Sequence, residues 1–173
     1  MKYQHVCVLG LGYIGLPIAS TLATCGVKVT GMDINPGIVD TLRKGEIHIY
    51  EPGLKVLVKK ALESGGLVVS NEVVPADAFI IAVPTPITSD KHADLDAVRS
   101  AAESIVPHLA KGNLVMLEST SPPRTTADLV RPILERSGLK AGIDFHLAYS
   151  PERVLPGQIL RELIENARVI GGI

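Results

Sequence analysis

The chain has 173 residues, with 17 Lys and Arg against 18 Asp and Glu, and 46% of it is hydrophobic. This fits one globular domain, and the composition and balanced charge indicate neither a disordered tail nor a nucleic-acid-binding surface. Two cysteines are too few for a disulfide scaffold and suit a reducing cytoplasm. The apolar run from Val6 to Leu9 is too short for a secretory signal, and no stretch approaches the ~18 apolar residues of a membrane span.

Short apolar, β-branched runs alternate along the chain with segments of helical length. Strands are predicted at 5–9, 28–32, 67–70, 78–83, 114–117 and 146–149. Helices are predicted at 14–24, 36–44, 54–64, 95–109 and 126–137. Gly26, Gly45 and Gly138 stand where helices should end, and Asp94 and Thr125 are predicted caps for the last two helices. The alternation predicts an α/β fold, a doubly wound and mainly parallel sheet of the Rossmann type flanked by helices.

The two stretches that fit this alternation least are 45–53 and the C-terminus. The segment from Gly45 to Gly53 is predicted to be an ordered loop on the ligand side. After a short helix at 160–166, residues 168–170 read as one more strand, followed by Gly171 and Gly172. Because a domain seldom ends on an opening strand and two glycines, we expect residues 1–173 to be the N-terminal part of a longer polypeptide.

A glycine-rich turn follows the first predicted strand and opens the first helix. Gly10, Gly12 and Gly15 form GxGxxG, in which the first glycine makes the tight turn, the second lets the main chain approach a pyrophosphate, and the third lets helix and strand pack closely. The helix N-terminus then offers free N–H groups to the phosphates. Tyr13 and Ile14 either present such groups or are packing residues.

Asp33 closes the second predicted strand, 18 residues after Gly15. Near this spacing, a carboxylate accepts hydrogen bonds from the adenosine ribose. The same carboxylate would repel a 2′-phosphate, so the sequence favours NAD over NADP as the cofactor. The five histidines do not cluster at metal-ligand spacing, so no metal is predicted.

Beyond this turn, the sequence resembles the UDP-glucose/GDP-mannose dehydrogenase family. The matching motifs run in family order over nearly the whole chain. They are VLGLGYIGLP at 8–17, GMDIN at 31–35, GEIHIYEPGL at 45–54, IAVPTP at 81–86, LESTSPP at 117–123, YSPERVLPGQ at 149–158 and RVIGG at 168–172. Within the family, the motifs are most similar to the branch that oxidises UDP-N-acetyl-D-mannosamine.

The resemblance implies which residues contact the cofactor and the substrate. For NAD they are Tyr13, Ile14, Asp33, Thr85 and Thr126. The full predicted cofactor site also includes Val83 and the glycines of the turn, Gly10, Gly12 and Gly15. The residues themselves leave alternatives, since Thr126 could cap a helix and Thr85 could be part of an ordinary proline-rich turn. For the UDP-sugar they are Arg153 and Val154, although Arg153 could equally form a salt bridge between domains.

The resemblance also implies the reaction, in which the C6 hydroxyl of a nucleotide sugar becomes a carboxylate while two NAD are reduced. Thr120 holds a water and Glu152 acts as general base for thioester hydrolysis. The family's catalytic cysteine and lysine belong to a second, UDP-sugar-binding domain that this chain lacks, together with the central helix. Cys7 and Cys25 are expected to be structural, so residues 1–173 alone are expected to be inactive.

The implied whole protein is a cytoplasmic homodimer that supplies uronic-acid precursors for surface polysaccharide, without nucleic-acid or membrane partners. Two alternatives remain open. The substrate could be UDP-glucose, GDP-mannose or a 3-hydroxy acid, which the second domain would decide. The chain could also be a non-catalytic dinucleotide-binding module, and a stop codon directly after Ile173 would favour that alternative.

Overall fold

A seven-stranded sheet forms the centre of the computed structural model, which describes residues 3–173. The strands are β1 His5–Leu9, β2 Lys28–Met32, β3 Leu67–Ser70, β4 Ala78–Ile81, β5 Leu114–Leu117, β6 His146–Tyr149 and β7 Gly171–Gly172. Their order in the sheet is β3-β2-β1-β4-β5-β6-β7, and β1 to β6 run parallel. Chain order reverses direction between β1 and β4, which confirms the predicted doubly wound sheet.

Helices cover both faces of this sheet. They are α1 Gly15–Thr24, α2 Pro36–Arg43, α3 Leu54–Glu63, α4 Asp96–Ile105, α5 Arg131–Leu134 and α6 Ile159–Glu165. Side chains alternate along each strand, so that Val6 and Val8 of β1 join the core beneath α1 and α3, while Cys7 and Leu9 join the core beneath α4 and α5. Burial on both faces explains why the strands read as continuous apolar runs.

Two predicted helices are less regular in the structure than in the sequence pattern. The helix expected at 95–109 ends at Ile105 and continues as a 3₁₀ turn, Val106–His108, that contains Pro107. The helix expected at 126–137 is a π turn, then α5, then another 3₁₀ turn. Pro132 lacks an N–H and cannot make the usual bond four residues back, which accounts for this break.

The structure confirms some of the residues predicted to begin or end helices and contradicts others. Gly26, Gly45 and Gly138 all have positive φ, as expected of residues that end helices. The cap predicted at Asp94 lies one residue too early, because Leu95 is the N-cap residue of α4 and its side chain makes no capping bond. The carboxylate of Asp94 nevertheless accepts the N–H of Asp96, the first residue of α4. The predicted cap at Thr125 is wrong, because its hydroxyl donates to the carbonyl of Pro122 instead.

The strand predicted at 168–170 is also wrong in position. The residues that pair are Gly171 and Gly172, and they run antiparallel to β6. Arg168 lies just before this edge strand, and its side chain contacts two carboxylates at the end of the sheet. None of the helices within residues 3–173 is long and apolar enough to span a bilayer.

Candidate functional site

A cleft of about 580 Å³ opens at the carboxyl ends of β1, β2 and β4. This is the point where the strand order reverses, which is where open α/β sheets bind ligands. Five segments line the cleft: the glycine turn, the end of β2, the start of α2, the end of β4 and one face of α4. The lining residues predicted from the sequence are Gly10, Gly12, Tyr13, Ile14, Asp33 and Val83.

The three glycines of the turn have three different reasons to be glycine. Gly10 has φ +90°, and a Cβ there would lie 2.6 Å from the carbonyl oxygen of Ala82. A Cβ on Gly15 would lie 1.8 Å from the carbonyl oxygen of Gly10, so the helix could not approach the turn. A Cβ on Gly12 would meet nothing within 4 Å. Packing therefore explains Gly10 and Gly15, and Gly12 is the glycine left open toward the cleft.

Asp33 is tied to the glycine turn by hydrogen bonds to the main chain. Its Oδ2 accepts the N–H of Leu11 at 2.9 Å, and its Oδ1 accepts the N–H of Asn35 at 2.9 Å. Because each carboxylate oxygen can accept a second hydrogen bond, the group retains capacity for ribose hydroxyls. These bonds fix the carboxylate at the mouth of the cleft, so Asp33 also has a structural role that the sequence pattern did not reveal.

Several lining residues were missed by the sequence analysis. They are Ile34 and Ile38 after β2, and Ala97, Ser100, Ala101 and Ser104 on α4. The four α4 residues are spaced at i, i+3, i+4 and i+7, which places them on one helix face. Small residues on that face keep large side chains out of this side of the cleft. The spacing of these residues is the signal that could have identified them.

Thr85 and Thr120 lie together, to one side of the cleft. The hydroxyl of Thr85 donates to the carbonyl oxygen of Thr120 at 2.6 Å, and the hydroxyl of Ser119 donates to the carbonyl of Val83 at 2.8 Å. These bonds join the segments that follow β4 and β5. Thr126 is in a different place, since it lines a separate hollow with Tyr149 and Gly171.

A cluster of charged groups lies at the carboxyl ends of β5 and β6. One guanidinium nitrogen of Arg168 is 3.1 Å from a carboxylate oxygen of Glu118, and the other is 3.3 Å from one of Glu152. Both carboxylate side chains are buried, at 3% and 8% exposure. Burial raises the pKa of Glu118 to about 7, and the nearby Glu152 adds to this increase while Arg168 opposes it. The sequence analysis identified only Glu152 of these three.

The loop between β6 and α6 carries Arg153 and Val154, the predicted substrate contacts. Arg153 is exposed and Val154 is half-buried. The end of this loop is held by Glu51, a buried residue whose two carboxylate oxygens accept the N–H groups of Gly157 and Ile159 at 2.7 and 2.8 Å. The loop at 45–53 is therefore fastened to the start of α6.

The two cysteines lie away from these groups. Cys7 is buried in β1, where burial raises the pKa of its thiol to about 11, and Cys25 is exposed at the end of α1. A thiol with a raised pKa is a poor nucleophile. Within the part of the chain that the structure describes, no three His, Cys, Asp or Glu side chains are grouped to hold a metal ion.

The fold and the cleft together define a nucleotide-cofactor-binding domain, because a glycine turn, a free helix N-terminus and an acid at the end of β2 meet at the reversal of strand order. Residues 4–173 match the model of the NAD binding domain of the UDP-glucose/GDP-mannose dehydrogenase family. The chain belongs to this family, as its NAD-binding domain.

Relatives and solved structures agree with this assignment. The UDP-N-acetyl-D-mannosamine dehydrogenase of Campylobacter jejuni is 50% identical over 99% of this chain and 44% of its own length. The NDP-N-acetyl-D-galactosaminuronic acid dehydrogenase of Ralstonia nicotianae is 48% identical over all of this chain and 43% of its own length. The structure of the UDP-N-acetyl-mannosamine dehydrogenase of Staphylococcus aureus matches with a TM-score of 0.94 and 48% identity, over 97% of this chain and 41% of that one. The chain thus spans less than half the length of these relatives.

Proposed function

We propose that this chain is the NAD-binding N-terminal domain of a UDP-N-acetyl-D-mannosamine 6-dehydrogenase. The observation that carries the proposal is the cleft at the strand-order reversal, where the open position at Gly12 and the fixed carboxylate of Asp33 lie on the same edge. The similarity to a dehydrogenase of this name supports the choice of substrate. The proposed reaction converts the C6 hydroxyl of the UDP-sugar to a carboxylate and reduces two NAD.

The residues of this chain fit the cofactor. A Cβ at Gly12 would occupy open space beside the start of α1, where the first N–H groups of a helix have no intrahelical partner and can bind a diphosphate. Asp33 would accept the ribose hydroxyls and repel a 2′-phosphate. Tyr13, Ile14 and Val83 would line the cofactor, and Thr85 and Thr126 are proposed further contacts. When bound, NAD supplies the hydride acceptor.

Thr120 and Glu152 are proposed to handle water in the hydrolytic step. Glu152 would act as general base, and Thr120 would hold the water, while Arg153 and Val154 contact the UDP-sugar. The thiolate that carries the thioester is proposed to belong to a further domain of a longer polypeptide. That polypeptide is proposed to be cytoplasmic, which the free cysteines support. It is proposed to work as a homodimer, on the resemblance to the family alone.

Calorimetric titration of the chain with NAD and with NADP tests the cofactor assignment. We expect saturable binding of NAD and weaker binding of NADP, and no binding of NAD by a folded sample would refute the proposal. The chain alone should form no NADH from UDP-N-acetyl-D-mannosamine, whereas a longer polypeptide containing it should form two per substrate. NADH formation by residues 1–173 would contradict the assignment of the thiolate to another domain.

A second substrate is favoured by one observation, namely the 48% identity to an NDP-N-acetyl-D-galactosaminuronic acid dehydrogenase. The two candidates differ in the nucleotide sugar and share the cofactor site. Measuring kcat/KM of the longer polypeptide for UDP-N-acetyl-D-mannosamine and for UDP-N-acetyl-D-galactosamine decides between the two candidates. A preference for the galactosamine substrate would overturn the first candidate and leave the NAD site intact.

A further inference from the structure

The buried side chain of Glu152 lies on a loop, outside any strand or helix. Its Oε1 accepts the N–H of the next residue, Arg153, at 2.6 Å. Its Oε2 lies 3.3 Å from a guanidinium nitrogen of Arg168. The N–H of Arg153 moves with the loop itself, so Arg168 is the contact that can fix the carboxylate relative to the sheet.

Arg168 is in turn held by groups that the sheet positions. Its other guanidinium nitrogen contacts both carboxylate oxygens of Glu118, at 3.1 and 3.4 Å, and the hydroxyl of Ser150 at 3.4 Å. Glu118 directly follows β5, and its N–H donates to the carbonyl of Ile81 in β4; the N–H of Ser150 donates to the carbonyl of Leu117 in β5. The contacts therefore run from the ends of the strands, through the guanidinium, to the loop carboxylate.

The planar fork of an arginine suits this arrangement because it can meet two carboxylates in fixed directions, which the point charge of a lysine cannot do. The charged groups that face Glu118 are Arg168 and Glu152, and Ser150 is its hydroxyl neighbour. Two carboxylates share one cation here. Burial raises the pKa of Glu118 to about 7, so near neutral pH Glu118 can take up a proton and leave the cation to Glu152.

We infer that Arg168, held by Glu118, is a positioning residue that sets the orientation of the Glu152 carboxylate. The catalytic meaning of this orientation rests on the proposed function, in which Glu152 is the general base. The competing interpretation is a purely structural one, in which Arg168 only fastens the segment before β7 to the sheet. The two interpretations differ in what happens to turnover when the fold is kept.

The first experiment compares Arg168→Met with Arg168→Lys in the longer polypeptide of the proposed function. We expect Arg168→Met to lower kcat about 100-fold with little change in either KM, because a displacement near 1 Å of a reacting group has an effect of this size. Arg168→Lys should recover part of kcat.

Arg161→Met is the matched control, because Arg161 pairs with Glu165 on the exposed surface of α6 and loses the same charge. It should leave kcat unchanged. Wild-type kcat in Arg168→Met, alongside inactivity of Glu152→Gln, would overturn the positioning role. If Arg168→Met does not fold, Arg168→Lys alone decides, since a structural fastening would keep full kcat and a positioning role would not.

The second experiment needs no turnover and uses residues 1–173 with ¹³C-labelled glutamate carboxyls. The Glu152 signal, assigned from its loss in Glu152→Gln, should move in Arg168→Met and stay in place in Arg161→Met. An unmoved Glu152 signal in Arg168→Met would overturn the inference whatever the enzyme does. If this signal moves while the longer polypeptide shows no dehydrogenase activity, the proposed function fails and the positioning contact stands.

Discussion

The two sides of the carboxyl edge of this sheet present different chemical groups. Between β1, β2 and β4, the cleft is made of main-chain atoms, apolar side chains and one carboxylate, Asp33. Beyond β5 and β6, the same edge carries two buried carboxylates that share Arg168. The first side leaves main-chain atoms open to the cleft, and the second holds two carboxylates away from water beside a partly exposed arginine.

This difference determines how each side responds to change. On the cleft side, a single extra carbon atom is decisive, because the contacts are between backbone atoms that cannot move apart cheaply. On the carboxylate side, volume matters less and protonation matters more, because burial and neighbouring charges raise the pKa of Glu118. The four predictions below test this contrast, in order of expected effect.

Gly15→Ala should have the largest effect and should act on the fold. Its Cβ would lie 1.8 Å from the carbonyl oxygen of Gly10, so α1 must move away from the turn. We expect a loss of about 3 kcal/mol or more in the free energy of unfolding, measured by urea denaturation. Gly12→Ala is the matched control, since its Cβ meets nothing; it should keep wild-type stability and lose NAD binding. Equal stability of the two variants would contradict the packing explanation.

Glu118→Gln should change how stability depends on pH. The pKa of Glu118 rises from 4.5 to about 7 on folding, so between these values the folded chain holds more protons than the unfolded chain. The free energy of unfolding therefore falls as pH rises through this range, by at most about 3 kcal/mol. Glu118→Gln should remove this decrease in urea denaturation at pH 5 and pH 8.

Burial is the main cause that lowers the pKa of His5. Just below pH 6.5 the folded chain therefore holds fewer protons at His5 than the unfolded chain, so His5 makes the free energy of unfolding rise with pH, opposite to Glu118. His5 is present in both proteins, so the difference between wild type and Glu118→Gln isolates the carboxyl. Parallel stability curves for the two proteins would show that Glu118 does not titrate in this range.

Asp33→Ala should weaken NAD binding by about 1.5 to 3 kcal/mol, the value of hydrogen bonds to a charged group. The preference for NAD over NADP should shrink as well. Because Asp33 also accepts the N–H groups of Leu11 and Asn35, a smaller loss of stability accompanies it. The matched control is Asp40→Ala, an exposed carboxylate on α2 that pairs with Arg43. Calorimetry with unchanged NAD affinity in Asp33→Ala would remove Asp33 from the site.

Glu51→Gln should have the smallest effect, about 1 to 2 kcal/mol in stability, because one of the two N–H groups at the start of α6 loses its carboxylate acceptor. Amide hydrogen exchange of Gly157 and Ile159 should become faster. Glu46→Gln, which alters an exposed pair with Lys55 on the same loop, serves as the control and should leave these amides unchanged. Slow exchange in Glu51→Gln would mean that the loop is held by other contacts.

The sequence by itself determined the fold class, the glycine turn and the acid at the end of β2. It also determined the positions of six strands, except that the strand predicted at 78–83 ends at Ile81. These features depend on local spacing and periodicity, which the chain carries in a few consecutive residues. The sequence motifs also pointed to Glu152, but through resemblance to a family and not through its surroundings.

Only the tertiary structure decided the rest. Glu118 and Glu152 lie 34 positions apart, and Glu51 lies 106 positions from Gly157, yet each pair shares one local environment. The last strand, predicted at 168–170, lies at 171–172 in the structure. The structure also shows that the carboxylate of Asp33 accepts a hydrogen bond from the glycine turn. Desolvation and charge sharing arise only when distant segments pack together, so no local pattern of residues can encode them.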